Sequence, residues 1–157
     1  MRSYNIFMLL FIVLGTGISP SFARADETVI LSKGQTIYVP AYSHIYVGNR
    51  ELPILLTVTA SIRNTDLNHS IKVTKVDYYE TQGKIVKKFI DSAVNLKPLE
   101  TIRYIIPQKD KAGGSGANFI VEWKSDRLVN QPIVETIMVG QQGMSFTSRG
   151  QILGKTE

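Results

Sequence analysis

The run "ILLTVTASIRN" keeps a strict period of two. Ile54, Leu56, Val58, Ala60 and Ile62 fall on one side, and Leu55, Thr57, Thr59, Ser61 and Arg63 on the other. Successive side chains of a strand point to opposite faces, so this pattern predicts a strand with one face on a core and one toward solvent. The period returns in "IKVTKVDYY", where Ile71 and Val73 hand over to Val76 and Tyr78. That change of face predicts a bulge near Thr74 and Lys75. It returns again after Gly116, with Phe119, Val121 and Trp123 on one face and Ile120, Glu122 and Lys124 on the other.

Turn residues punctuate these runs. "NTDLNHS", from Asn64 to Ser70, reads as a polar turn region, and "TQGK" around Gly83 as a hairpin turn leading into "IVKKFI". Pro98 sits in a connection before "TIRYII", Thr101 to Ile106. Nearer the start, "TVILS" and "QTIYV" flank Lys33 and Gly34, read as a turn, and "HIYVG" follows Pro40. "SDRLVNQP" reads as a loop ending at Pro132, and "IVETIMVG" as the last full strand. No segment carries a convincing helical period, an internal repeat or an interdomain linker. Seven or more short strands with turns between them predict an all-β fold, a single immunoglobulin-like antiparallel β-sandwich, with barrel closure as the structural alternative.

The first 25 residues have a different character. Arg2 is followed by the apolar "IFMLLFIVLGTGI", then Pro20 and the small-x-small sequence Ala23-Arg24-Ala25. This is the pattern of a cleaved secretory signal. A membrane-spanning helix needs roughly 20 predominantly apolar residues. This run is shorter and is interrupted by Gly15 and Gly17. The expected organisation is therefore a signal over 1–25 and one domain over 26–157. No stable membrane anchor is expected after cleavage. The expected location is the periplasm or the outside of the cell.

Charge and cysteine content narrow the classes. The formal charge of the 157 residues is +5, but Arg2 and Arg24 precede Asp26 while all 13 acids lie at or beyond it, which leaves +3 for the exported part. The densest basic group is Lys84, Lys87 and Lys88 among apolar residues, which a solvated strand face explains. No concentrated basic surface or reading motif points to nucleic acid. The absence of cysteine excludes disulfides, thiolate metal sites, a thiol nucleophile and a lipid anchor on cysteine. His44 and His69 stand far apart without carboxylates at ligand spacing, so no metal and no cofactor is expected.

Two segments carry candidate chemistry. The first is "KAGGSGANFIVEW", with Gly113, Gly114, Ser115, Gly116 and Asn118. A phosphate cradle needs lysine and a helix start after its glycines. A nucleophile elbow needs a strand-to-helix turn, whereas this loop leads into a strand. A triad would have to bring His69 and Asp66, or His44, to Ser115. The simpler reading is a tight entry into a strand. The binding version is a mobile loop at one end of the fold, with Lys109, Asp110, Lys111 and Asn118 as its rim. The second segment is "IYVPAYSHIYVG". Tyr42, His44 and Tyr46 share a side if the stretch is extended, and Tyr38 lies just upstream. Aromatic rings with polar tips suit contact with a sugar or a protein. They also serve to cover a sheet edge.

Taken together, "YVPAYSHIY", "SIRNTD", "KVDYYETQGKIV", "GGSGANFIVEW" and "PIVETIMVG" resemble the bacterial exported family known as domain of unknown function 3124, over about Ile37 to Phe146. The resemblance implies a bacterial source and export, and supplies no activity. "SIRNT", the Tyr78–Tyr79 pair before Gly83 and "LKPLETIRYII" are also similar, more distantly, to immunoglobulin-like exported modules. The functional expectation is a non-enzymatic envelope binding protein whose partner is an envelope protein or a small ligand such as a glycan. The alternatives are an assembly subunit pairing through an edge strand and an enzyme of unrecognised type.

Overall fold

The computed structural model describes residues 29–48 and 51–154; the segment read as a signal, 1–25, lies outside them. Among the described residues there are twelve strands, one short 3-10 turn and no α-helix. The strands are β1 (Leu31–Pro40), β2 (His44–Tyr46), β3 (Pro53–Leu55), β4 (Thr57–Arg63), β5 (Ile71–Tyr79) and β6 (Ile85–Lys88). They continue with β7 (Val94–Leu96), β8 (Thr101–Ile106), β9 (Asn118–Asn130), β10 (Ile133–Val139), β11 (Ser145–Arg149) and β12 (Gln151–Ile152).

They form three antiparallel sheets. The largest runs β12-β1-β9-β5-β6, with β7 also paired to β5; the second runs β11-β10-β4-β8; β2 and β3 form a separate hairpin. The inner faces of the two larger sheets meet in one core. Leu56, Val58, Ala60, Ile62 and Met138 come from the four-stranded side, and Val73, Val76, Tyr78, Phe119, Val121 and Trp123 from the six-stranded side. These are the positions that the period of two selects. Burial of side chains of this size is the main favourable contribution to folding, about 1.5–3 kcal/mol each. The face change in β5 is a bulge, because its pairing with β9 shifts between Val73 and Lys75.

Several boundaries differ from the sequence reading. Lys33 and Gly34 do not turn the chain. They sit in a register shift of one continuous β1, where Ser32 Oγ accepts from Gly34 N and donates to Gly34 O. "SDRLVN" is strand, because β9 continues through it, pairs Asn130 with Leu31 and buries Val129. β10 is followed by β11 and β12, and the chain passes from one sheet edge to the other through Gly150 alone. There Gly150 N donates to Val134 O at 2.8 Å.

The polar turn after β4 is a hydrogen-bonded knot. Asp66 Oδ1 accepts from Asn68 N, His69 N and His69 Nδ1, and Asp66 Oδ2 accepts from Asn130 N. The N–H donors of Asn68 and Asn130, with His69 after them, hold its carboxyl at about 2, below the usual 3.8. A depressed carboxyl contributes stability that is fully present above its ordinary range and is lost as pH falls through its folded value. Melting profiles of the wild type should therefore lose stability between about pH 4 and pH 2, and Asp66→Asn should flatten that interval. An unchanged slope in the variant would contradict the assignment.

Candidate functional site

The two segments singled out in the sequence meet at one end of the molecule. β9 begins at Asn118, which lies between Pro40 of β1 and Tyr79 of β5. The glycine loop enters β9 at that point, and Ala41 N donates to Ala117 O at 2.8 Å. Ser43, fully buried just before β2, donates from both N (3.0 Å) and Oγ (3.1 Å) to Gly114 O. From the β5–β6 turn, Thr81 N and Oγ1 both donate to Gly113 O, and Thr81 Oγ1 accepts from Gly116 N. The loop is stapled on two sides by residues remote in sequence.

Glycine is required here for two separate reasons. Gly114 has φ +79°, in the left-handed region that side chains disfavour. Gly113 lies against the Tyr78 ring: a Cβ on it would meet Tyr78 Oη at 1.8 Å and Cζ at 2.5 Å. Tyr78 is fully buried and stacks on Phe119, with ring centroids 5.0 Å apart. Burial, then the nearby charge of Asp110, pushes its phenol up to about 12. Ser43 is close enough to temper that rise, but its Oγ–H is donated to Gly114 O and the Tyr78 hydroxyl makes no hydrogen bond.

The aromatic residues separate into three environments. Tyr38 lies in β1 opposite Ile120 and Gln151, on the half-exposed face of the six-stranded sheet. Tyr42 packs inward against Phe146, with centroids 6.0 Å apart. His44 and Tyr46 remain together on β2, edge to face at 5.3 Å, with His44 Nε2 3.2 Å from Tyr46 Oη. The bend at Ser43 explains why Tyr42 leaves the group: its ring covers the core while the next strand diverges into the hairpin.

That hairpin carries the most exposed apolar residues of this end. Tyr46 is 53% exposed, Val47 55% and Leu52 64%. Val47 and Leu52 were not among the residues the sequence reading selected. Their only signal is one apolar residue on each side of the polar stretch from Gly48 to Glu51. Beside the hairpin, Pro53, Ile54, Leu55, Gln108, Lys109 and Gln141 line an open depression of about 430 Å³. Gln108 Nε2 donates to Leu55 O at 3.1 Å and fixes its floor.

The Ser115–His69–Asp66 constellation does not form. Ser115 lies by the Asn118 end of β9, whereas Asp66 bonds to Asn130 at the other end. At about 3.3 Å per residue, the ends of this strand are about 40 Å apart. The family model described as Protein of unknown function (DUF3124) matches residues 34–153. The chain belongs to that family. The DUF3124 match takes in β2 to β12 whole and every residue of the glycine loop. No protein of curated function matches the chain. Among solved structures the DUF3124 chain is similar to the one titled "Crystal Structure of Thermotoga maritima 1070", at 14% identity over 74% of this chain and 92% of that one, with a TM-score of 0.40.

Proposed function

We propose that this protein is a non-enzymatic, exported bacterial envelope protein that binds a partner protein through the end formed by the glycine loop and the β2–β3 hairpin. The observation that carries the reading is the combination of a fixed base with an apolar tip. Three segments, around Ser43, Thr81 and Gly113–Gly116, are hydrogen-bonded into one platform. The exposed Tyr46, Val47 and Leu52 stand beside it. Apolar side chains held in the open on a rigid support cost solubility and little ordering entropy, which is the arrangement of a protein contact. Two aliphatic residues beside one tyrosine favour a protein over a glycan. The signal-like 1–25 segment supports export to the periplasm or beyond.

The same proposal includes an immunoglobulin-like sandwich. β4 and β8 in one sheet, and β5 and β9 in the other, pair as the B–E and C–F strands of that fold do. The terminal strands are exchanged: β1 lies beside β9, where the last strand of an immunoglobulin domain lies, and β10 lies beside β4.

The test is native mass spectrometry of the tagged chain, purified gently from its own host. The wild type is expected to carry a stoichiometric companion protein. Tyr46→Ser combined with Leu52→Ser should lose it by more than tenfold while the melting temperature stays within about 2 °C, since exposed substitutions rarely cost more than about 0.5 kcal/mol. A companion retained by that variant would count against the hairpin as the contact.

A further inference from the structure

We infer that the outer edge of β8 is a homodimerisation strand, pairing antiparallel with β8 of a second copy about a two-fold axis through Tyr104. The inference is independent of the hairpin contact at the end of the molecule.

The edges of the two large sheets are unequal. On one side, β11 and β12 are the edge strands of the two sheets, and Gly150 joins them directly. On the other side the six-stranded sheet ends in two short strands laid along β5: β7, three residues long, and β6, which is four residues long, carries Lys87 and Lys88, and meets β5 through a register shift at Tyr78–Tyr79. Short, lysine-bearing, irregular strands are how sheets prevent further pairing. β8 is less protected, with Arg103 its one charged residue. It runs straight for six residues, pairs one-to-one with β4 from Thr101 to Ile106, and contains no proline. Among the described residues, no backbone group of Thr101–Ile106 bonds to a loop or side chain. Its outward side chains Thr101, Arg103 and Ile105 are all exposed, Ile105 at 48%. An unpaired edge of this kind is a template for one more strand.

The side chains favour a second copy of this chain as that strand. In antiparallel pairing, opposed residues share a face, so a two-fold axis must pass through a residue position. An axis at Arg103 would set two cations against each other. An axis at Tyr104 sets Ile102 against Ile106 on the inner face, and Arg103 against Ile105 on the outer face. Every apolar residue of the strand then meets an apolar one or the stem of an arginine, and no like charges oppose. On the neighbouring sheet, the β6 lysines confine the contact to β8.

The register makes the test specific to sign. Ile105→Arg would oppose Arg103 of the other copy twice, whereas Ile105→Glu would pair with it twice. In analytical ultracentrifugation of the full chain, in the form in which the cell leaves it, the wild type is expected to show a concentration-dependent dimer. Ile105→Arg should weaken it by at least about tenfold, and Ile105→Glu should leave it equal or tighter. Because the native chain lacks cysteine, mixing Arg103→Cys protein with Ile105→Cys protein should give an oxidised dimer that neither gives alone. A wild type that stays monomeric to several hundred micromolar would overturn the inference. So would equal effects of the two charges, or a β8 edge occupied by a strand of another protein.

Discussion

Gly113→Ala is expected to destabilise the protein by about 3 kcal/mol, at the upper end of what an added methyl costs in a well-packed site. For a domain of this size that lowers the melting temperature by roughly 10 °C. The reason is local and steric. The new methyl would occupy the position of the Tyr78 hydroxyl, 1.8 Å away, and that ring is wedged between the loop and Phe119. Tyr78→Phe alone should be close to neutral, because the hydroxyl it removes is buried and has no partner. The double variant should recover part of the loss, leaving the strain against the ring carbon at 2.5 Å. Ser115→Ala, in the same loop and partly exposed, should melt like the wild type. Equal stability of Gly113→Ala and the wild type in thermal denaturation would show that the loop does not rest on Tyr78.

Asn64→Ala is expected to have a comparable effect at the opposite end. Asn64 is 2% exposed, and its amide nitrogen donates to His69 O, Leu96 O and Lys97 O, while Oδ1 accepts from Asp66 N. One side chain thus joins the β4–β5 turn to the connection that follows β7. Alanine would leave buried carbonyls without donors, each worth about 1–3 kcal/mol, so a total of about 3 kcal/mol is expected after partial relaxation. Asn64→Asp should be almost as damaging, because a carboxylate has no N–H to give those carbonyls. Chemical denaturation midpoints measure both. A loss under about 1 kcal/mol would mean that water replaces the amide.

The sheets were legible in the sequence wherever one face is covered. Leu56 to Ile62 and Phe119 to Trp123 alternate because each second residue meets the facing sheet, and the slip at Thr74–Lys75 records a real bulge. Legibility fails where that cover ends. Lys124, Asp126, Arg127 and Leu128 are all exposed, so this part of β9 lost its period and resembled a loop, although backbone pairing at Asn130 continues the strand. Lys33–Gly34 misled for a related reason: a glycine in a bulge and a glycine in a turn leave the same trace. In the candidate site, the glycine loop and the His44–Tyr46 stretch were each visible. Their union was not, because it depends on Ser43 and Thr81, which are 71 and 32 positions away from the carbonyls they bind.

The hairpin end is where the protein is proposed to meet its partner. The most direct measurement is site-specific photocrosslinking in the native host, with the photoreactive residue placed at Tyr46, at Leu52 or at Leu128. Leu128 is a matched control, since it is 58% exposed and lies toward the far end of β9. A discrete, light-dependent adduct with a second protein is expected from Tyr46 and Leu52, and none from Leu128. An adduct from Leu128 alone, or from no position, would contradict it.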